Sequence, residues 1–407
     1  MSLTLAAIEA ARDVIAGAVL RTPMLPAPKL SELAGAEIFV KYENLQVTNS
    51  FKERGALTKL ASLVASERKS GVIAMSAGNH AQAVAYHALR LKIPATIVMP
   101  VTTPHVKVAA TQAYGAEVVL HGDTLVDAQV RAQELATERD LTWVHPYDDP
   151  LVMAGQGTVA LEMLEDLPAL DALIVPVGGG GLIAGMAVAA RALKPSIEIV
   201  GAEAALYPSV WNALRGEQRS IGGPTLAEGI AVKNVGRLTL KVVRDLVGEI
   251  ILVGEDHLER AVNAFLTLQK TIAEGAGAAG LAAMLAVPEK FRGRKVGLVL
   301  SGGNIDPRIL ASIMVRELER DNRIVSFRLT IPDQPGVLGQ IATRLGELGA
   351  NILEVNHRRL FLDVPAKGTR LDVTIETRDG RHAETIIRAL GEEGYAPIRI
   401  SAGETLE

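Results

Sequence analysis

The chain has 407 residues and a mass of 43.1 kDa, with 42 basic against 46 acidic residues and no cysteine. At roughly 150 residues per domain, that length makes two or three domains. The lack of cysteine excludes thiol catalysis, cysteine zinc sites and iron–sulfur clusters, and a net charge of -4 without a basic block argues against a nucleic-acid partner. With 3% aromatic and 48% hydrophobic residues, the core has to be built from Ala, Val, Leu and Ile, the composition of parallel sheets covered by helices.

The first segment, MSLTLAAIEAARDVIAGAV, carries Glu9 and Asp13 and lacks a basic start before an apolar core. A secretory signal is not expected, and a cytoplasmic location is. From about residue 38, short β-branched runs alternate with amphipathic stretches, the pattern of parallel βα units. Strands are predicted at Ile38 to Tyr42, Val72 to Met75, Thr96 to Met99, Glu117 to Leu120, Leu173 to Val177, Ile197 to Val200 and Val296 to Leu300. Helical spacing fills Gln82 to Leu91, Asp123 to Arg139 and Leu182 to Leu193. The uncharged run from Ala172 to Ala190 is long enough to span a bilayer, but its glycine quartet and Pro176 would expose backbone to lipid. It reads instead as strand, glycine turn and helix, and no membrane partner is expected. An α/β doubly wound sheet follows, with its ligand site beyond the carboxyl ends of the strands.

Three predicted strands run directly into small-residue turns: VIAMSAGNH, LIVPVGGGGL and GLVLSGGN. Such turns let backbone N–H groups approach a ligand, and each following helix aims its positive end at the same crevice. After a helix over Ile309 to Leu318, the polar stretch Glu319 to Arg323 marks a boundary near residue 322, giving domains 1–322 and 323–407. The C-terminal part runs in β-α-β-β-α-β order, with strands at 351–360 and 396–401 among its elements, which is the ferredoxin-like arrangement.

In KYENLQVTNSFKERGALTKL, Ser50 and Glu53 have capping-box spacing, which predicts a helix starting at Phe51 with Lys52 in its first turn. The positive end of the helix dipole disfavours the ammonium there and favours a neutral, nucleophilic amine.

SFKERGA, SAGNHAQ, the glycine quartet and SGGN, in this order and at these spacings, resemble the pyridoxal-phosphate enzymes of fold type II (tryptophan-synthase-β-like), and among them the threonine dehydratases or ammonia-lyases. The resemblance covers roughly residues 5 to 320, and the C-terminal part resembles an ACT domain. It implies two doubly wound subdomains, the smaller at roughly 48–147, with pyridoxal 5'-phosphate as cofactor. Lys52 would be the Schiff-base lysine and catalytic base, with Phe51 packing on the ring. Asn79 would bond the ring oxygen, Gly178, Gly179, Gly180 and Gly181 would cradle the phosphate, and Ser301 would face the ring nitrogen. Ser76, Ala77, Gly78 and His80 would bind the substrate carboxylate, with Asn304 supporting that corner. The implied reaction is β-elimination from threonine to 2-oxobutanoate and ammonia, with serine, giving pyruvate, as a second substrate. Ala77 stands where racemising relatives carry a second hydroxyl, which favours dehydration, and Asn49 replaces a glycine often found there.

Serine racemase and hydroxyaspartate dehydratase activities are alternatives on the same fold. A more distant one is an NAD-dependent dehydrogenase, because Gly179, Gly181 and Ala184 match G-x-G-x-x-A and Glu203 ends the next strand. That alternative leaves Lys52, Asn79 and Ser301 without a role. A third is a non-catalytic amino-acid sensor. The eight histidines are scattered and no divalent metal site is expected; relatives holding an ion through a residue like Glu203 use partners replaced here by Tyr207 and Ser209. The resemblance still admits a monovalent cation. It also implies a homo-oligomer, dimer or tetramer, with an amino-acid effector at the ACT-like part, near Asp333, Gly336, Val337, Leu338 and Asn351.

Overall fold

The computed structural model describes residues 3–358 and 368–400. The chain divides into two compact units, Met1–Ile305 and Asp306–Glu407. In the first unit the strands are β1 (Met24–Pro26), β2 (Glu37–Tyr42), β3 (Val72–Met75), β4 (Ala95–Met99), β5 (Glu117–Leu120), β6 (Thr142–Trp143), β7 (Ala172–Pro176), β8 (Glu198–Ala204), β9 (Glu249–Val253) and β10 (Lys295–Leu300). They form two sheets, ordered β5-β4-β3-β6 and β1-β2-β10-β7-β8-β9. All pairings are parallel except that of the edge strand β1 with β2.

The seven predicted strands are present within a few residues of their expected ends, and β1, β6 and β9 are additional. Two or three residues carry no readable periodicity, which hides β1 and β6, and the apolar run of β9 is ambiguous between strand and helix. The run Ala172 to Ala190 resolves into β7, every residue of it buried, a glycine turn and the helix Gly181–Leu193. Among the described residues no helix is long and apolar enough to cross a membrane.

One helix, Pro150–Asp166, is buried almost all round and packs on both the Lys52 helix and the helix Gly181–Leu193. Glycine makes this approach feasible. A Cβ on Gly155 would lie 2.5 Å from the Arg54 carbonyl oxygen, and one on Gly185 would lie 2.2 Å from that of Met153. The core around it is aliphatic: Ile8, Val159, Met163, Leu173, Ile183 and Ile199 are fully buried, as the composition requires.

In the second unit, the helix Pro307–Arg320 precedes β11 (Ile324–Pro332), β12 (Asn351–Arg358), β13 (Gly368–Glu376) and β14 (Ile398–Ile400). The unit division falls after Ile305, so this helix, assigned by the sequence reading to the part before residue 322, goes with the C-terminal unit. The antiparallel sheet runs β12-β13-β11-β14, with helices Val337–Glu347 and Gly380–Glu392 completing the ferredoxin-like order. Phe327, Leu329, Leu345, Leu371 and Ile386 form its core. Arg359, Leu360 and Ser401, also assigned to strands by the sequence reading, lie outside the described residues.

Candidate active site

The Lys52 helix spans Lys52–Ala61, and Phe51 rather than Ser50 is its N-cap residue. The capping box predicted from Ser50 and Glu53 does not form. Ser50 is drawn into an isolated antiparallel bridge with Gly302, while the Glu53 carboxylate accepts the Thr48 N–H at 2.5 Å. The long-range pairing outcompetes the local cap. Phe51 N–H donates to the Ser301 carbonyl at 3.1 Å, which ties the start of this helix to the end of β10. Asn49, with φ of 55°, takes the left-handed conformation that its short polar side chain tolerates.

Lys52 is half-buried. Its Nζ donates to the Pro146 carbonyl at 2.8 Å and lies 5.2 Å from the centre of the Phe51 ring. Among the described residues no carboxylate is within ion-pair distance of it. Burial lowers its pKa to about 8, against a weaker opposing pull from Glu274, so a substantial neutral fraction exists near neutral pH.

The turn after β3 leads into the helix Asn79–Leu91. Ser76 Oγ accepts the Gly78 N–H at 3.2 Å, which closes the turn around Ala77. Asn79 Nδ2 donates to Glu274 Oε1 at 2.7 Å, and its Oδ1 accepts from Asn304 Nδ2 at 2.8 Å. His80 faces inward: its Nε2 lies 2.9 Å from the Val144 carbonyl, and burial lowers its pKa to about 3. The imidazole is therefore neutral and pinned to β6's exit, leaving the backbone of His80 as its route to any ligand.

Beyond β7, Gly180 has φ of 91° and caps the helix Gly181–Leu193. The first N–H groups of that helix have no acceptor within it. Two neighbours hold the turn. A Cβ on Gly179 would lie 2.4 Å from the Tyr147 ring, and Thr239 Oγ1 donates to the Gly179 carbonyl at 2.7 Å. Thr239 is itself placed by Asp148, whose carboxylate accepts the N–H groups of Arg237, Leu238 and Thr239 at 2.8 to 3.1 Å. Ser301 is 3% exposed at the end of β10.

The segment Val144 to Asp148 is thus a hub the sequence reading missed: it touches His80, Lys52, the glycine turn and the Thr239 helix. Its only signal was its place after a strand, and β6 was too short to see. Also unforeseen is the ionic cluster behind Lys52. Fully buried Arg54 donates to Glu43 at 2.7 and 2.8 Å, to Glu162 at 2.6 and 2.9 Å and to Thr158 at 3.0 Å, while Lys41 Nζ reaches Glu162 at 2.5 Å. Glu162 lies over 100 residues away in sequence, so no spacing rule could place it.

Glu203, weighed as a ribose or metal ligand, instead accepts the N–H groups of Val210 and Trp211 at 2.7 and 2.9 Å, at the start of the helix Ser209–Arg215. In the C-terminal unit, Asp333 lies on the loop after β11 and Gly336, with φ of 93°, caps the helix beginning at Val337. Val337 and Leu338 pack partly on that unit's core, and Asn351 opens β12.

The chain contains a region, residues 15–302, that matches the family model described as pyridoxal-phosphate dependent enzyme. The chain belongs to this family. An L-threonine ammonia-lyase of Thermotoga maritima is 42% identical over 97% of this chain and 98% of its own length. Among solved structures, the processed form of threonine deaminase isoform 2 from Solanum lycopersicum is 36% identical, with a TM-score of 0.72 over 76% of this chain and 86% of that one. Serine racemase from Dictyostelium discoideum is also 36% identical, with a TM-score of 0.71 over 75% and 100%. The cofactor of this family is pyridoxal 5'-phosphate, and the residues present suit it. A partly neutral lysine amine fits an aldehyde, and a buried glycine turn at a helix N-terminus fits a phosphate dianion.

Proposed function

We propose that this protein is a threonine ammonia-lyase, converting L-threonine to 2-oxobutanoate and ammonia and accepting L-serine as a second substrate. The observation that carries the reading is Lys52, whose amine donates to the Pro146 carbonyl, has no carboxylate within ion-pair distance among the described residues and has a pKa lowered to about 8, on a helix whose start is tied to Ser301 after β10. Pyridoxal phosphate, when bound, supplies the conjugated ring that accepts charge developing at the substrate α-carbon.

The chain's own residues do the rest. Lys52 Nζ would hold the cofactor through its aldehyde, and its neutral amine is the group that would take the α-proton of the substrate. The glycine turn from Gly178 to Gly181 would hold the phosphate through backbone N–H groups, with Tyr147 and Thr239 fixing the turn from outside. Asn79 and Ser301 would hold the ring's polar edges, and Phe51 would pack against its face. Ser301 is a neutral hydroxyl, which cannot keep a full proton on a ring nitrogen as a carboxylate does; this favours elimination over transamination. The turn Ser76 to Gly78, with the backbone of His80, receives the substrate carboxylate. Ala77 has no proton to deliver to the opposite face of the α-carbon, which supports elimination over racemisation.

The domain assignment, a homo-oligomeric state, a cytoplasmic location and an amino-acid effector at the ferredoxin-like unit, around Asp333 to Leu338 and Asn351, belong to the same proposal. The test is to load the protein with pyridoxal phosphate and measure 2-oxo acid and ammonia release from L-threonine, L-serine and 3-hydroxyaspartate, together with formation of D-serine. Threonine should be turned over with equal yields of both products. Formation of D-serine without 2-oxo acid would replace the reading with a racemase.

A further inference from the structure

The corner formed by Asn79, Glu274, Gly302 and Asn304 is over-determined. Asn79 Nδ2 donates to Glu274 Oε1 at 2.7 Å, and Asn79 Oδ1 accepts from Asn304 Nδ2 at 2.8 Å. Asn304 is itself oriented from two sides: its Nδ2 also donates to the Thr48 carbonyl at 2.9 Å, and its Oδ1 accepts from Asn49 Nδ2 at 3.2 Å. Asn304 Nδ2 is committed to the Thr48 carbonyl, which only accepts, so turning the Asn79 amide over would set NH₂ against NH₂ at Asn304, and oxygen against oxygen at Glu274 whenever that carboxyl is ionised. The amide therefore has one orientation. Its Nδ2 carries two N–H groups, of which Glu274 takes one.

The backbone is arranged to admit this contact. Glu274 N–H donates to the Gly302 carbonyl at 3.1 Å, and a Cβ on Gly302 would lie 2.4 Å from Glu274 Oε1 and 3.1 Å from Asn79 Nδ2. Any larger residue at 302 would push the carboxylate off the amide. Burial raises the Glu274 pKa to about 7, against the hydrogen bond from Asn79; of the charged groups that act on it, Lys107 lowers it and Glu228, which pairs with Lys107 at 2.5 Å, raises it, and Glu274 acts in turn on Lys52. Neither the glycine turns nor the lysine motif points to Glu274.

We infer that Glu274 is a positioning residue that holds the Asn79 amide so that its second Nδ2–H faces the cofactor. The inference rests on the assignment of Asn79 to the cofactor, and it makes that residue's contribution conditional on a carboxylate 195 residues away in sequence. Geometry rather than charge is the requirement, since a glutamine at 274 presents the same acceptor oxygen to Asn79.

The test needs no substrate. Pyridoxal-phosphate affinity and the absorbance of the bound cofactor are measured for the full-length protein and for Glu274→Ala, Glu274→Gln, Glu274→Asp, Asn79→Ala and the double variant N79A/E274A. E274A should weaken cofactor binding about tenfold, the scale of one lost hydrogen bond, and shift the absorbance in the same direction as N79A. The double variant should be no worse than N79A alone, because both changes remove one interaction. E274Q should stay within about threefold of the parent. E274D keeps the charge but withdraws the oxygen by one methylene, so it should behave like E274A, and it decides the matter if E274A does not fold. Wild-type affinity and absorbance in E274A or E274D would overturn the inference, as would penalties that multiply in the double variant. Because the readouts are of cofactor alone, failure to deaminate threonine would overturn the proposed reaction without touching this result. A parent chain that takes up no pyridoxal phosphate would overturn both.

Discussion

Lys52 and Arg54 are two residues apart in one helix, and the protein treats these two cations in opposite ways. Arg54 is fully buried and meets two carboxylates and a threonine hydroxyl; burial opposes its charge, yet Glu43 and Glu162 more than compensate and raise its pKa. Lys52 meets one carbonyl and no carboxylate within ion-pair distance among the described residues, and burial lowers its pKa to about 8. Burial alone does not make a reactive base. Burial without a counter-charge does, whereas burial with two of them makes a structural clamp. The clamp also serves the base, because it fixes the first turn of the helix on which the amine is mounted.

The sharpest way to break this contrast is to remove each cation in turn. Lys52→Ala should lower threonine turnover by at least about 10³-fold and abolish borohydride-stable attachment of the cofactor, with an unchanged circular dichroism spectrum. Arg54→Met should do the reverse. It leaves Glu43 and Glu162 buried without their main partner, at a cost of about 3–5 kcal/mol, read as a lower urea midpoint. An R54M protein as stable as the parent would show that the cluster is not a clamp.

The protonation of Lys52 gives a graded test. Its folded pKa lies below the ordinary value of 10.5, at about 8, so the reactive neutral amine gains population as pH rises through 8. Covalent uptake of pyridoxal phosphate by the apoprotein should therefore slow about tenfold for each pH unit below that midpoint. Between about 8 and 10.5 the unfolded chain holds a proton that the folded one has lost, so this group makes apoprotein stability increase with pH across that window. A midpoint near 10.5 would mean that Lys52 is an ordinary exposed lysine.

The smallest effect is expected at the edge of the glycine turn. Thr239→Val removes the hydroxyl that bonds the Gly179 carbonyl, costing about 1 kcal/mol. Cofactor affinity should fall about fivefold, with the Lys52 pH midpoint unchanged. A shifted midpoint would show that the glycine turn and the lysine are electrostatically one site.

Much of the candidate site was legible in the chain because its parts are local. A strand running into SAGN, GGGG or SGGN announces a turn with exposed N–H groups, and the four-motif order identifies the family. The failures have a common cause. The Ser50–Glu53 capping box was a sound local reading, yet Ser50 pairs with Gly302 and Glu53 turns to Thr48. Glu274, Glu162 and the Val144 to Asp148 hub act through partners brought from distant parts of the chain or carried by a two-residue strand. His80 sits in a legible motif, but its ring is spent on Val144.

The order of apolar runs and glycine turns by itself determined the parallel sheets, the glycine turns at their strand ends and the helix that carries Lys52, because backbone conformation and burial pattern are encoded within a few residues. Which charges are neutralised was decided only by the tertiary structure. Electrostatic partnership depends on distances of about 3 Å between groups that in this cluster lie from 11 to 121 residues apart in sequence, and those distances exist only once the helices and sheets have packed.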